Sequence, residues 1–165
     1  MRDPFPMNLN KEDVRQCGRV AVWSAMLDTA MEVTIWLLCG LPRPDARRST
    51  VGLMADQKRQ RLEGILQSCS GLTSDQRKDL AEILKDVADA LKERNRVIHA
   101  LWHIGADGAP WAAKYDKKGQ LIFHDRFDTP FVKPIAERNK QLAIRLARWN
   151  NAFEPNVMSS YYPPV

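Results

Sequence analysis

Three side chains close together in the stretch ALKERNRVIHALWHIG, residues 90–105, have the right types for phosphate and proton chemistry: Arg94, Asn95 and His99. A guanidinium stays protonated and can fork onto two phosphate oxygens. An imidazole titrates near neutral pH and can take or give a proton. An amide beside them can orient the ring or donate to an oxygen. Arg94 also breaks a pattern. The apolar seam of a long amphipathic helix runs Leu80, Leu84, Val87, Leu91, then Ile98 and Leu101, and Arg94 occupies the position where another apolar residue is due.

A helix turns about 100° per residue, so with Arg94 at zero the seam lies near 40°, Asn95 near 100° and His99 near 140°. Asn95 and His99, four apart, can touch. Arg94 and His99 diverge. They meet only if the arginine side chain bends across, or if a second helix or subunit supplies one of them. A guanidinium in a seam needs an acid or an open cleft. Glu32, a lone acid in TAMEVTIW, is a candidate for that acid, and its pairing with Arg94 would make the arginine a structural ion pair. His99 and His103, at i and i+4 on the expected helix, have metal-ligand spacing, but no HExxH and no neighbouring cysteine accompany them, so no metal or other cofactor is expected.

The elements that must position these residues are helical. Helix one is expected from Asn10, its cap, to about Cys39, where Gly40 and Pro42 stop it. LPRPDARRST reads as a loop by its prolines. Ser49 or Thr50 caps a second helix over about 50–68, with Leu53, Met54, Leu62, Ile65 and Leu66 on its apolar face. Thr73 and Gln76 form a capping box for a third helix that runs to about His103. WAAKYDKKGQLIFHD reads as a β-hairpin turning at DKKG, with Gly119 free to take positive φ. Asp128 or Thr129 caps a fourth helix, Pro130 suits its first position, and Leu142, Leu146, Trp149 and Phe153 mark its buried stripe. The tail 154–165 reads as loose. The expected fold class is all-α: a four-to-five-helix antiparallel bundle with a small β-hairpin inserted between the last two long helices, in one domain spanning 1–165 with its core at about 10–153.

With 165 residues, 44% hydrophobic and 27% charged, the chain is long enough to bury a core and has no composition of disorder or fibre. A net charge of +5 favours a polyanionic partner without requiring one. Three cysteines without a CxxC pair suit reduced thiols and a cytoplasmic location. The most apolar run, VAVWSAMLDTAMEVTIWLL, carries Asp28 and Glu32, so a buried helix is expected and no membrane partner. The phosphate-loop, dinucleotide and nucleophile-elbow signatures are absent. Tryptophans are read as core, except Trp111, which could stack a base.

ERNRVIHALW resembles the signature of the HEPN superfamily, an arginine followed after four to six residues by a histidine, often with a polar residue directly after the arginine. Arg94, Asn95 and His99 match these three positions, and the helical core is of suitable size. The variant with a tyrosine two residues after the histidine is absent, since Leu101 stands there. The resemblance implies an endoribonuclease that works without metal, in a toxin–antitoxin, phage-defence or RNA-processing setting. It implies RNA as substrate, a homodimer whose motif helices face each other across one composite site, and an antitoxin or other protein partner. The alternative within the family is a non-catalytic module binding RNA or protein. On this reading Arg96, Arg47, Arg48, Lys58, Arg59 and Arg61 are the cations available to an RNA backbone.

Overall fold

The computed structural model describes residues 9–41 and 43–154. Five helices and three strands follow in the order α1 (Lys11–Leu38), α2 (Arg43–Thr50), α3 (Ala55–Ser68), α4 (Ser74–Ile98), β1 (Leu101–Ile104), β2 (Pro110–Tyr115), β3 (Leu121–Arg126) and α5 (Thr129–Phe153). The fold is mainly helical, with one small antiparallel sheet in the order β1-β2-β3. The loose tail expected at 154–165 lies, from 155 onward, outside the described residues.

Local chemistry sets the helix starts. Asn10 Oδ1 accepts from the Asp13 amide at 2.9 Å. Thr73 and Gln76 satisfy each other's backbone amides, giving α4 its capping box. Asp128 stands at the N-cap of α5 and proline occupies its first turn, where a missing N–H costs nothing.

Helices α1 and α5 share the most extensive packing, and they run parallel. Thr129 Oγ donates to Asp13, Ser24 Oγ to Asn139, and Thr34 Oγ to Asn150, so positions on the two helices advance together. Helices α4 and α5 run antiparallel: Arg138 reaches Glu93, Arg145 reaches Asp79, and Trp149 Nε1 reaches the Gln76 carbonyl. The antiparallel packing expected of chain neighbours therefore does not extend to α1 and α5, which are far apart in the chain. A larger core cluster, with Trp36, Leu62, Leu84 and Leu146, joins α1, α3, α4 and α5. A smaller one, with Val20, Val97, Ala112, Phe127 and Val132, joins α1, α4, the sheet and α5. By length and composition α1 could cross a membrane, and much of it is buried within these clusters.

Three boundaries differ from the sequence reading. Residues 43–50, expected as loop, are helical: Pro44 sits in the first turn, and Arg47 and Arg48 sit in the last, where cations meet the helix dipole. The next helix starts at Ala55 rather than near 50, and Leu53 and Met54 precede it; Gln57 accepts from the Met54 amide at 2.8 Å. Helix α4 stops at Ile98, not His103, and 101–104 form a third strand on the hairpin. That strand turns Trp102 inward, edge-on to Phe127, and its Nε1 donates to the Val97 carbonyl at 3.1 Å. One otherwise unpaired acceptor at the end of α4 is thereby satisfied.

Candidate functional site

The position of Arg94 follows from what precedes it. Leu80, Ile83, Leu84, Val87, Ala90 and Leu91 bury one face of α4. One turn beyond Leu91, core packing gives way to a cleft of about 410 Å³ between the middle of α1, the segment 53–55 and the end of α4. Ser24, Ala25 and Asp28 form one wall, Leu53 and Met54 another, and Arg94, Ile98 and His99 the third.

Arg94 Nη1 donates to Asn95 Oδ1 at 2.8 Å and lies 3.4 Å from His99 Nε2. A guanidinium nitrogen has no lone pair to accept with, so this contact uses the Nε2 lone pair and leaves the imidazole proton on Nδ1. The two side chains meet within one chain because the helix ends between them. His99 is the C-cap of α4, at φ −114° and ψ 15°, with its amide donating to the Asn95 carbonyl. The first of the two routes, the arginine bending across, is the one seen.

Arg94 forms no ion pair with any carboxylate among the described residues, and its Nε is buried without a hydrogen-bond partner. The candidate pairing with Glu32 is not formed. Glu32 and Asp28 both hold Lys58, each at 2.6 Å, and Lys58 is buried. Burial pushes the Lys58 ammonium down, but its hydrogen bonds and charge contacts with Asp28 and Glu32 outweigh this and raise it above the ordinary lysine value. Glu93 is engaged by Arg138. Asp28 is the site residue that the sequence reading passed over. Its Oδ2 takes Lys58, while Oδ1 is buried without a partner on the cleft wall. The signal was the i, i+4 pair of acids, Asp28 and Glu32, inside an apolar run.

The proposed RNA-holding residues do not converge on the cleft. Lys58 is consumed in its ion pairs. Arg59 is held by Asp56 at 2.8 Å and Glu63 at 2.5 Å. Arg96 bonds Asp125 and lies over the rings of Phe123 and Phe131, tying α4 to the sheet and to α5. Arg61 donates to the Ser49 carbonyl. Trp111 packs against His124, and its Nε1 donates to Asp107. Arg47 and Arg48 are exposed on α2. His103, expected one helical turn past His99, lies on β1 and meets His124 instead. Three larger grooves, of about 540, 550 and 430 Å³, carry neither histidine nor cysteine. The cleft at Arg94 therefore holds the groups best suited to proton and phosphate chemistry.

No family model matches the chain, and no curated protein or solved structure matches it.

Proposed function

We propose that the chain is a metal-independent endoribonuclease acting at the Arg94 cleft. Within that class, the reading is that it is a HEPN-type enzyme, from the Arg94, Asn95, His99 signature. One observation carries the proposal: a guanidinium without a carboxylate partner among the described residues, in contact with Asn95 and an exposed imidazole at the mouth of a cleft. A structural arginine in a helix seam is normally neutralised. A free one is available to a phosphate.

In this mechanism the RNA phosphate takes the place of His99 as the acceptor for Arg94, which stabilises the charge growing on the non-bridging oxygens. Nε2 of His99 then has its lone pair free to accept the 2′-hydroxyl proton as that oxygen attacks phosphorus. The 5′-oxygen leaves and takes a proton from a second acid, giving a 2′,3′-cyclic phosphate and a 5′-hydroxyl. A second copy of the chain, bringing its own histidine, is the proposed source of that acid. The angular divergence of Arg94 and His99 no longer argues for a dimer, because the two meet in one chain. Support comes instead from exposed apolar side chains on the cleft wall, Met54 and Ile98, with Met54 74% exposed. Three free cysteines support a reducing, cytoplasmic setting, and an antitoxin or other protein partner belongs to the same proposal.

The test is cleavage of a mixed RNA panel by wild type and His99→Ala in EDTA, with circular dichroism confirming both folds. Cutting by wild type alone, with cyclic-phosphate ends, is the expected result. Equal cutting by both removes His99 from the mechanism. Salt-dependent binding without cutting by either favours the non-catalytic module.

A further inference from the structure

His103 and His124 occupy the outer strands of the sheet and lean toward each other across β2. The register sets His103 opposite Trp111 and His124 opposite Ala113, so all four residues project from one face. Ala113 leaves space over the middle strand, and the Trp111 ring stands 4.8 Å from that of His124. The two imidazoles lie with Nε2 atoms 3.1 Å apart and ring planes within 17° of parallel. Both are exposed, and each is the other's only polar partner among the described residues.

Two imidazole nitrogens bound to one ion at about 2.0–2.1 Å, with angles of about 90–110° at the metal, stand roughly 2.9–3.4 Å apart. The observed separation falls within that range. We propose that His103 and His124 form a two-histidine site for a borderline transition ion, Zn²⁺, Ni²⁺ or Cu²⁺, with water in the remaining positions. Neutral imidazole selects these ions over Mg²⁺ and Ca²⁺. Arg126, the cation on the same face, is tied to Asp128 at 2.7 Å and faces Asp107 at 3.8 Å, which offsets its charge beside the pair. As a hydrogen bond, this contact uses the proton of one Nε2 and the lone pair of the other. Binding moves that proton to Nδ1 of its own ring, so both Nε2 lone pairs face the ion and no proton is lost.

This inference is independent of the ribonuclease reading. Its test is titration of the full chain with Zn²⁺ by calorimetry and with Cu²⁺ by quenching of tryptophan fluorescence. The expected result is one ion per chain at micromolar concentration, with affinity lowered at least tenfold in His103→Ala and in His124→Ala and unchanged in His99→Ala. Replacing Trp111 with Phe removes most of the Cu²⁺ quenching without removing Zn²⁺ binding. If alanine disturbs the sheet, His124→Gln keeps a polar side chain but is a poor ligand and gives the same loss. Absence of saturable binding to wild type, or binding that survives both histidine substitutions, overturns the site.

Discussion

Arg94 and His99 touch at 3.4 Å although an unbroken helix would set them about 140° apart. The end of α4 at Ile98 makes this possible. With no carboxylate on Arg94 among the described residues, the contact is weak enough for a phosphate to displace. The expected outcome is that Arg94→Ala retains the fold, with stability changed by less than about 1 kcal/mol, since no ion pair is broken. RNA cleavage should fall about 100- to 1,000-fold. Urea melts and initial cleavage rates read the two effects separately. A large loss of stability would make Arg94 a structural residue.

Lys58 gives the opposite pattern. Its substitution by Met leaves Asp28 and Glu32 facing each other across a buried space, and unfolding should become easier by about 2–3 kcal/mol, below the full buried-pair value because both acids are partly exposed. The Lys58 value is raised in the fold, so its contribution is complete below the ordinary lysine value and declines as pH rises through the folded one. The wild type should therefore lose stability above about pH 10, and the Met variant should lack this part of the decline. Thermal melts across pH 7–11 measure it.

Asn150 locks the two parallel helices. It is fully buried, donates to the Ala30 carbonyl at 3.1 Å and accepts from Thr34 at 2.9 Å. Asn150→Ala should cost about 1–2 kcal/mol through loss of the two hydrogen bonds made by its buried amide, while the Thr34 hydroxyl keeps the Ala30 carbonyl, 2.8 Å away, as its acceptor. Thr34→Val should cost more in the wild type, where it leaves the buried Asn150 Oδ1 without a donor, than in the Asn150→Ala background, and a double-mutant cycle from urea melts measures the difference.

Burial, with a smaller contribution from the Asp13 carboxylate, pushes the Cys17 thiol up to about 11. Iodoacetamide at pH 8 should modify exposed Cys39 roughly a hundredfold faster than Cys17, since only the thiolate attacks. Mass spectrometry of timed samples gives both rates.

Much of the helical content could be read from local pattern, because caps such as Asn10 and Thr73 act within one turn of themselves. The end of α4 could not. VIHALWHI satisfies both helical spacing and strand alternation, and pairing with β2, several residues downstream, decides between them. The same mistake placed His103 beside His99. Pro42 and Pro44 suggested a loop at 43–50, although a helix tolerates proline at its start. Arg94, Asn95 and His99 could be picked out as a group from type and spacing. Glu32 was assigned the wrong cation because Lys58 sits in a charged run, KRQR, that looks solvated, while only packing of α3 on α1 reveals it as buried. Asp28 escaped for the same reason.

The parallel setting of α1 and α5 has a consequence for rearranging the chain. Asn10 and Phe153 fall at opposite ends of a helix pair, separated by roughly the length of α5, whose 25 residues rise about 37 Å. Joining these two points, as circular permutation requires, would take a linker of about a dozen extended residues running along the outside of the helices. Opening the chain at the DKKG turn, with such a linker in place, would leave every helix intact and put the new ends at the sheet.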